Sequence, residues 1–255
     1  MTPRVYLSPA NQTGEQVELD AEQSLYLTQA LRLKSGAALV VFDGRGGRRE
    51  ATFDKADKRR ATIRLGPAVA GVSCGPLNLT LIQGVASGDR MDWVVEKAVE
   101  LGVARIMPVI CAQTSIKLTA ERAAKRLAHW NRIAVAACRQ SGRDDLPELT
   151  PVGSLTSALS TVTQSATPGF VLHPANSQPL TGLLGKFGNN LPARQLSLCV
   201  LVGPESGLTA AELQEAQGAG LATASLGPRV LRTETAGLVA AAIIQAALGD
   251  FANDC

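Results

Sequence analysis

Over the first third of the chain the hydrophobic positions follow a two-residue rhythm. Leu39–Asp43 and Glu50–Phe53 flank the run Gly44-Arg45-Gly46-Gly47, and apolar-rich segments on either side of a glycine turn predict a β-hairpin. Arg60–Leu65 alternates in the same way and extends the sheet. A short helix is expected over Ala21–Leu31, and Gly66–Gly75, which mixes glycine with proline, predicts a linker. Residues 1–72 are therefore expected to form a small β-barrel domain.

Beyond that point strands alternate with helices. Leu77–Ile82 predicts a strand, Asp92–Leu101 a helix closed by Gly102, and Arg105–Ile110 a second strand. Thr119 is placed to cap a long helix reaching Gln140. At about 100° per residue, Leu127, Trp130, Ala134, Ala137 and Cys138 share one face of it. Arg122, Lys125, Arg126, Arg132 and Arg139 lie on the other side. Phe170–His173, Leu196–Val202 and Thr223–Leu226 predict three further strands, each followed by a loop carrying Pro or Gly. Thr235–Leu248 holds no charged residue, so it predicts a helix that has to be buried, in the domain or against another subunit. The alternation argues for a mainly parallel α/β sheet over residues 73–255.

Composition adds limits rather than detail. With 45% hydrophobic and 18% charged residues the chain can bury a core, and with 4% aromatics that core has to be aliphatic. No signal pattern follows Met1, and the apolar run Ala236–Gly249 is too short to span a bilayer, so a soluble cytoplasmic protein with no membrane partner is expected. Cys74, Cys111, Cys138, Cys199 and Cys255 form no close pair. They read as small buried hydrophobes kept reduced, and no metal is expected.

Charge changes the picture more. The net charge is only +3, yet Arg45–Arg64 holds eight basic residues against three acidic, and Lys117–Arg143 seven against one. Two concentrated basic stretches on a nearly neutral protein fit a polyanionic partner or, equally, two solvated surfaces.

Several catalytic motifs fail. Gly44-Arg45-Gly46-Gly47-Arg48-Arg49 lacks the last glycine of a dinucleotide fingerprint, and Gly185-Lys186 is followed by Phe187, not Ser or Thr. In Gly203-Pro204-Glu205-Ser206-Gly207 a proline occupies the position where a nucleophile elbow needs glycine. His129 and His173 have no acid at a catalytic spacing, and His129 reads as a surface residue. What remains is three loops that follow strands: Leu172-His173-Pro174, Val202-Gly203-Pro204-Glu205 and Leu226-Gly227-Pro228-Arg229. Strand ends of this kind are where open α/β sheets take ligands, and such loops suit a cofactor held by main-chain groups.

Here the chain resembles a known family. Leu226–Ala236, reading LGPRVLRTETA, resembles the last motif of the RsmE-type 16S rRNA uracil-N3 methyltransferases, a branch of the SPOUT class. Leu201–Glu205 resembles the preceding motif, and Glu96–Val103 and Ala136–Arg143 resemble two earlier ones. Leu31-Arg32-Leu33 and Phe42-Asp43-Gly44 match the N-terminal domain, so the likeness runs through nearly the whole chain in order.

The resemblance implies a PUA-like RNA-binding barrel followed by a SPOUT-type knotted domain that encloses S-adenosyl-L-methionine. It also implies a homodimer and 16S rRNA, or the assembled small subunit, as substrate. Carried onto this sequence, the cofactor contacts fall on Leu172, His173, Pro174, Val202, Gly203, Pro204, Glu205, Ser225, Leu226, Gly227, Val230 and Leu231. RNA contacts fall on Arg32, Arg48, Arg49, Arg59, Arg60, Lys117, Arg126 and Arg139. Three positions depart from the pattern: Ser206 replaces a usual Gly, Arg139 a frequent Glu, and Tyr26 a frequent His. If the loop needs positive φ at Ser206, serine would cost on the order of 1 kcal/mol.

Methylating uracil N3 removes a ring proton and spreads negative charge onto O2 and O4. Arg143 and Arg232 are the candidates to stabilise that charge. Glu205 or Glu234 could take the proton, provided burial raises its carboxyl; Glu234 reads more readily as a first-turn helix carboxylate held by the helix dipole. A different RNA target, such as a ribose 2′-hydroxyl, a non-catalytic ribosome-assembly factor and a nicotinamide dehydrogenase are the alternatives.

Overall fold

The computed structural model describes residues 2–57, 59–71, 75, 77–114, 118–174, 177–188 and 196–252. The chain divides into two compact units, Met1–Ser73 with Cys138–Leu146, and Cys74–Ala137 with Pro147–Cys255.

In the first unit, β1 (Arg4–Tyr6), β2 (Gln16–Glu18), β3 (Ala38–Phe42), β4 (Arg48–Lys55) and β5 (Thr62–Val69) form a sheet in the order β1-β3-β4-β5-β2. The β3–β4 hairpin turns where the glycines stand. Asp43 Oδ1 accepts from the Arg45 and Gly47 N–H groups, which fixes the turn. Alternation puts Leu39, Val41, Ala51, Phe53, Ile63 and Leu65 on one face, packed with Val5, Val17, Leu19 and Leu27. The linker expected from Gly66 is instead strand as far as Val69. Register slips between Arg49 and Ala51, opposite the Gly66-Pro67 pair, so residues that read as breakers form a bulge that helps curl the sheet.

Asp20 caps α1 (Ala21–Leu25) through the Gln23 N–H. The helix then widens over Tyr26–Ala30, where the Leu31 N–H reaches back to Tyr26 O, and the chain leaves it through Arg32 at φ +52°. Cys138–Leu146 is tied into this unit by buried charges. Arg4 donates to Asp144 Oδ1 at 2.7 Å and to Arg143 O at 2.6 Å.

The second unit holds β6 (Leu77–Gly84), β7 (Arg105–Ile110), β8 (Glu148–Leu149), β9 (Gly153–Ser154), β10 (Gly169–Leu172), β11 (Gln178–Pro179), β12 (Leu196–Val202) and β13 (Leu221–Ser225). All pairings are parallel, in the order β11-β13-β10-β12-β6-β7-β8, with β9 also on β7. The helices are α2 (Arg90–Glu100), α3 (Ala120–Ser141), α4 (Leu155–Gln164), α5 (Leu180–Gly188), α6 (Ala210–Gly218) and α7 (Thr233–Leu248). Strands buried on both faces read as continuous apolar runs, as in Leu198–Val202.

Thr119 caps α3 by accepting from the Arg122 N–H, and Trp130 and Ala134 are buried as the helical spacing requires. His129 is not without an acid: its Nε2 lies 2.7 Å from Asp92 Oδ2, while Trp130 Nε1 donates to Asp92 Oδ1. Asp92 is 37 residues away, beyond any local pattern. Nor is α7 buried all round. Gly237, Ala240, Ala241 and Ile244 are buried, Leu238, Val239, Ala242 and Ile243 only half so, and Ala246 and Ala247 are exposed. Cys111, Cys138 and Cys199 are buried, and desolvation pushes each thiol up to about 12. Cys74 and Cys255 lie outside the described residues. Among the described residues no helix is long and apolar enough to cross a membrane.

Candidate active site

Sheet order makes the site. β13, β10 and β12 are neighbours, so the loops leaving their carboxyl ends stand side by side although the chain separates them widely. Together they enclose a cavity of about 600 Å³. Its walls include Leu172, His173 and Pro174 from the first loop, Val202–Leu208 from the second, and Leu226, Gly227, Arg229–Glu234 and Ala236 from the third. Of the cofactor contacts inferred by resemblance, only Ser225 is missing. Ala224 and Leu226, on either side of it, line the cavity.

The second loop is held from three directions. Gly84, at the end of β6, lies so close to the loop that an added Cβ would sit 2.4 Å from Pro204 N. Thr233 Oγ1 donates to Gly203 O and accepts from Gln83 Nε2 at 2.8 Å, which links the loop, β6 and the start of α7. Ser206 Oγ donates to Gln113 O at 2.7 Å. The left-handed residue of this loop is Gly207, at φ +77°, and Ser206 is not among the positive-φ residues. The strain expected for serine is absent because the next residue makes the turn.

Charge enters through a residue that sequence reasoning missed. Arg90, at the start of α2, donates to Glu205 Oε1 at 2.6 Å, and its Nε lies 3.7 Å from Glu234 Oε1. Glu205 Oε1 also accepts from the N–H and hydroxyl of Ser87. Partial burial pushes the Glu205 carboxyl up, but these hydrogen bonds together outweigh it and hold the group at about 2. The condition set for Glu205 as a base, a raised carboxyl, is therefore not met. Glu234 keeps Oε2 buried with no hydrogen-bond partner. Arg90 and Glu205 are 115 residues apart, so no spacing could have joined them.

The other candidates fall elsewhere. Arg143 belongs to the first unit, where its guanidinium is buried and paired with Asp145 at 2.6 Å. Arg48 lies 3.8 Å from Asp144, Arg49 donates to Gly66 O, and Arg60 is 3.8 Å from Glu18. Arg32 and Arg59 are exposed, Arg126 is half-buried on α3, and Arg139 packs on Tyr26. Lys117 lies outside the described residues.

Fold and cavity define an α/β protein that takes a cofactor-sized ligand at the carboxyl edge of a parallel sheet. Residues 73–245 match an RNA methyltransferase domain, and residues 19–66 match an RNA methyltransferase PUA domain. A ribosomal RNA small subunit methyltransferase E from Neisseria gonorrhoeae, solved bound to S-adenosylmethionine, is 36% identical with a TM-score of 0.86, over 98% of this chain and 100% of that one. The enzyme of the same name from Synechocystis is 30% identical over 97% of this chain and 78% of its own. That from Bacillus subtilis is 31% identical over 66% of each. The chain belongs to the RNA methyltransferase family, in its ribosomal RNA small subunit methyltransferase E branch.

Proposed function

We propose that this chain methylates N3 of a uridine in 16S ribosomal RNA, free or in the small subunit, with S-adenosyl-L-methionine as donor. The observation that carries this reading is the cavity itself. Three strand-end loops build it, its volume of about 600 Å³ suits a ligand of that size, and it holds one buried carboxylate oxygen with no partner. The residues present fit the cofactor. Leu172, Val202, Leu226, Val230 and Leu231 supply apolar wall, and Val230, 81% exposed, offers apolar surface for a ligand to cover. Gly203 and Gly227, which carry no Cβ, let the main chain of the cavity wall come close to a ligand.

When bound, S-adenosylmethionine supplies an electrophilic methyl group on a sulfonium. The protein's own residues have to orient the uracil, accept its N3 proton and stabilise the charge that develops on O2 and O4. Arg232, at the mouth of α7, lines the cavity, which supports it as the residue that meets that charge. Arg143 is the second residue proposed to stabilise that charge. Residues 1–72 grip RNA, with exposed Arg32 and Arg59 as phosphate contacts, and residues 73–255 carry the transfer. A ribosomal substrate puts the reaction in the cytoplasm. The uncharged, half-exposed face of α7 supports a homodimer in which a second copy covers it.

Nucleoside mass spectrometry tests the reading. The purified protein, given S-adenosylmethionine and small subunits from cells lacking it, is expected to produce 3-methyluridine. Methylation of a ribose or of another base instead overturns the assignment.

A further inference from the structure

One arginine in the cavity reaches two carboxylates, and the two are left in different states. Glu205 Oε1 collects three donors, the Ser87 N–H and hydroxyl at 2.8 Å each and Arg90 Nη1 at 2.6 Å. An oxygen so fully engaged has little left to offer a ligand. Glu234 stands in the first turn of α7 with its side chain only 15% exposed. Its Oε1 faces Arg90 Nε at 3.7 Å, and its Oε2 is buried with no partner. A buried acceptor without a donor is uncommon in folded proteins and calls for a reason. A ligand that brings an N–H into the cavity supplies one.

We propose that Glu234 Oε2 accepts the ring proton of the substrate base, and that Arg90 is a positioning residue that aims it by bridging Glu205 and Glu234. The inference rests on the uridine-N3 reading. The N3–H bond breaks and its proton ends on Glu234 Oε2. The nitrogen electron pair forms the new N–CH3 bond as the C–S bond breaks, and that bonding pair stays on sulfur as a neutral thioether. Arg90 suits its task because a planar fork can face two acids at once, which the single ammonium of lysine cannot. Its bond to Glu205 also ties Glu234 to the cofactor loop, so the acceptor and the methyl donor share one support. The other titratable or charged side chains lining the cavity are His173, Arg229 and Arg232, and of these only His173 could compete for the proton.

The test measures single-turnover methylation of small subunits against pH, with S-adenosylmethionine binding followed separately by calorimetry. Glu234→Gln is expected to bind the cofactor normally, lose about 10²–10⁴-fold in rate and lose the acid limb of the pH profile. Arg90→Lys is expected to lower kcat more than it raises KM, and to displace the acid limb without abolishing it. Glu234→Asp, which keeps a shortened carboxylate, should be slow with the limb retained, and it remains decisive even if the glutamine variant binds cofactor poorly. A wild-type rate and limb in either Glu234 variant overturns the inference, as does loss of the limb in His173→Asn alone. Those results with 3-methyluridine still the product sink this inference only; a different product from the unaltered protein sinks the uridine-N3 reading.

Discussion

The guanidinium of Arg139 lies over the ring of Tyr26, 4.2 Å from its centroid. These are two of the three positions at which the sequence departs from its family's pattern, and the structure brings them together. Arg139 stands where Glu is frequent in the resembled pattern and Tyr26 where His is frequent; this chain stacks a cation on an aromatic face there. Tyr26→Ala and Arg139→Ala are each expected to cost about 0.5–2 kcal/mol, with a coupling of roughly 0.5–1 kcal/mol between them. Urea unfolding of the two single variants and the double variant measures it. The exchange Tyr26→His with Arg139→Glu should be better tolerated than Arg139→Glu alone; strict additivity argues against the pairing.

The third departure predicts an asymmetry between neighbours. Ser206→Gly removes a hydroxyl bonded to Gln113 O at an exposed site and should change stability little. Gly207→Ala forces a side chain into φ +77° and should cost about 1 kcal/mol or more. Thermal unfolding and cofactor titration of both variants check the order. The reverse order would move the strained residue back to Ser206.

Thr233 couples three pieces of the site through one hydroxyl. Thr233→Val keeps the shape but leaves Gln83 Nε2 and Gly203 O without that partner, at a cost of about 1–3 kcal/mol. Weaker binding of S-adenosylmethionine in calorimetry is the expected result, because Gly203 lies in the cavity wall. Unchanged affinity would mean the loop holds its course without this link.

Arg232 and Arg143 should fail differently. Arg232→Ala is expected to lower turnover by about 10²-fold or more while cofactor binding persists. Arg143→Ala should also lower turnover with cofactor binding retained, and in addition should destabilise the fold by something near the low end of about 3–5 kcal/mol. It strips a buried partner from Asp145, which is itself 30% exposed. Near-normal turnover in both variants overturns their assignment.

Glu205 sets an acid limit. Its carboxyl is held at about 2 in the folded protein against an ordinary 4.5, so its bonded form contributes stability above about 4.5. That contribution fades as the pH falls from about 4.5 through about 2. Acid unfolding of the native protein and of Glu205→Gln should converge at the low end of this window and separate above it.

Local signals in the sequence were sufficient for the elements and for the three loops. Two-residue alternation placed the β3–β4 hairpin, and 3.6-residue spacing oriented α3, because both periodicities act over a few residues. Local reading erred where one signal had two outcomes. Gly66-Pro67 reads as a break, yet cross-strand pairing to β4 makes it a bulge. The charge constellation was beyond any spacing. Arg90 meets Glu205 and Glu234 only because β6 lies beside β12, and His129 meets Asp92 only because α2 and α3 are folded together. The sequence by itself determined which strands end in ligand loops and which residue types stand there. Sheet order and side-chain packing alone decided that those loops share one cavity and that Glu234 keeps a buried oxygen without a hydrogen-bond partner, because such pairings depend on nearness in space and leave no period along the chain.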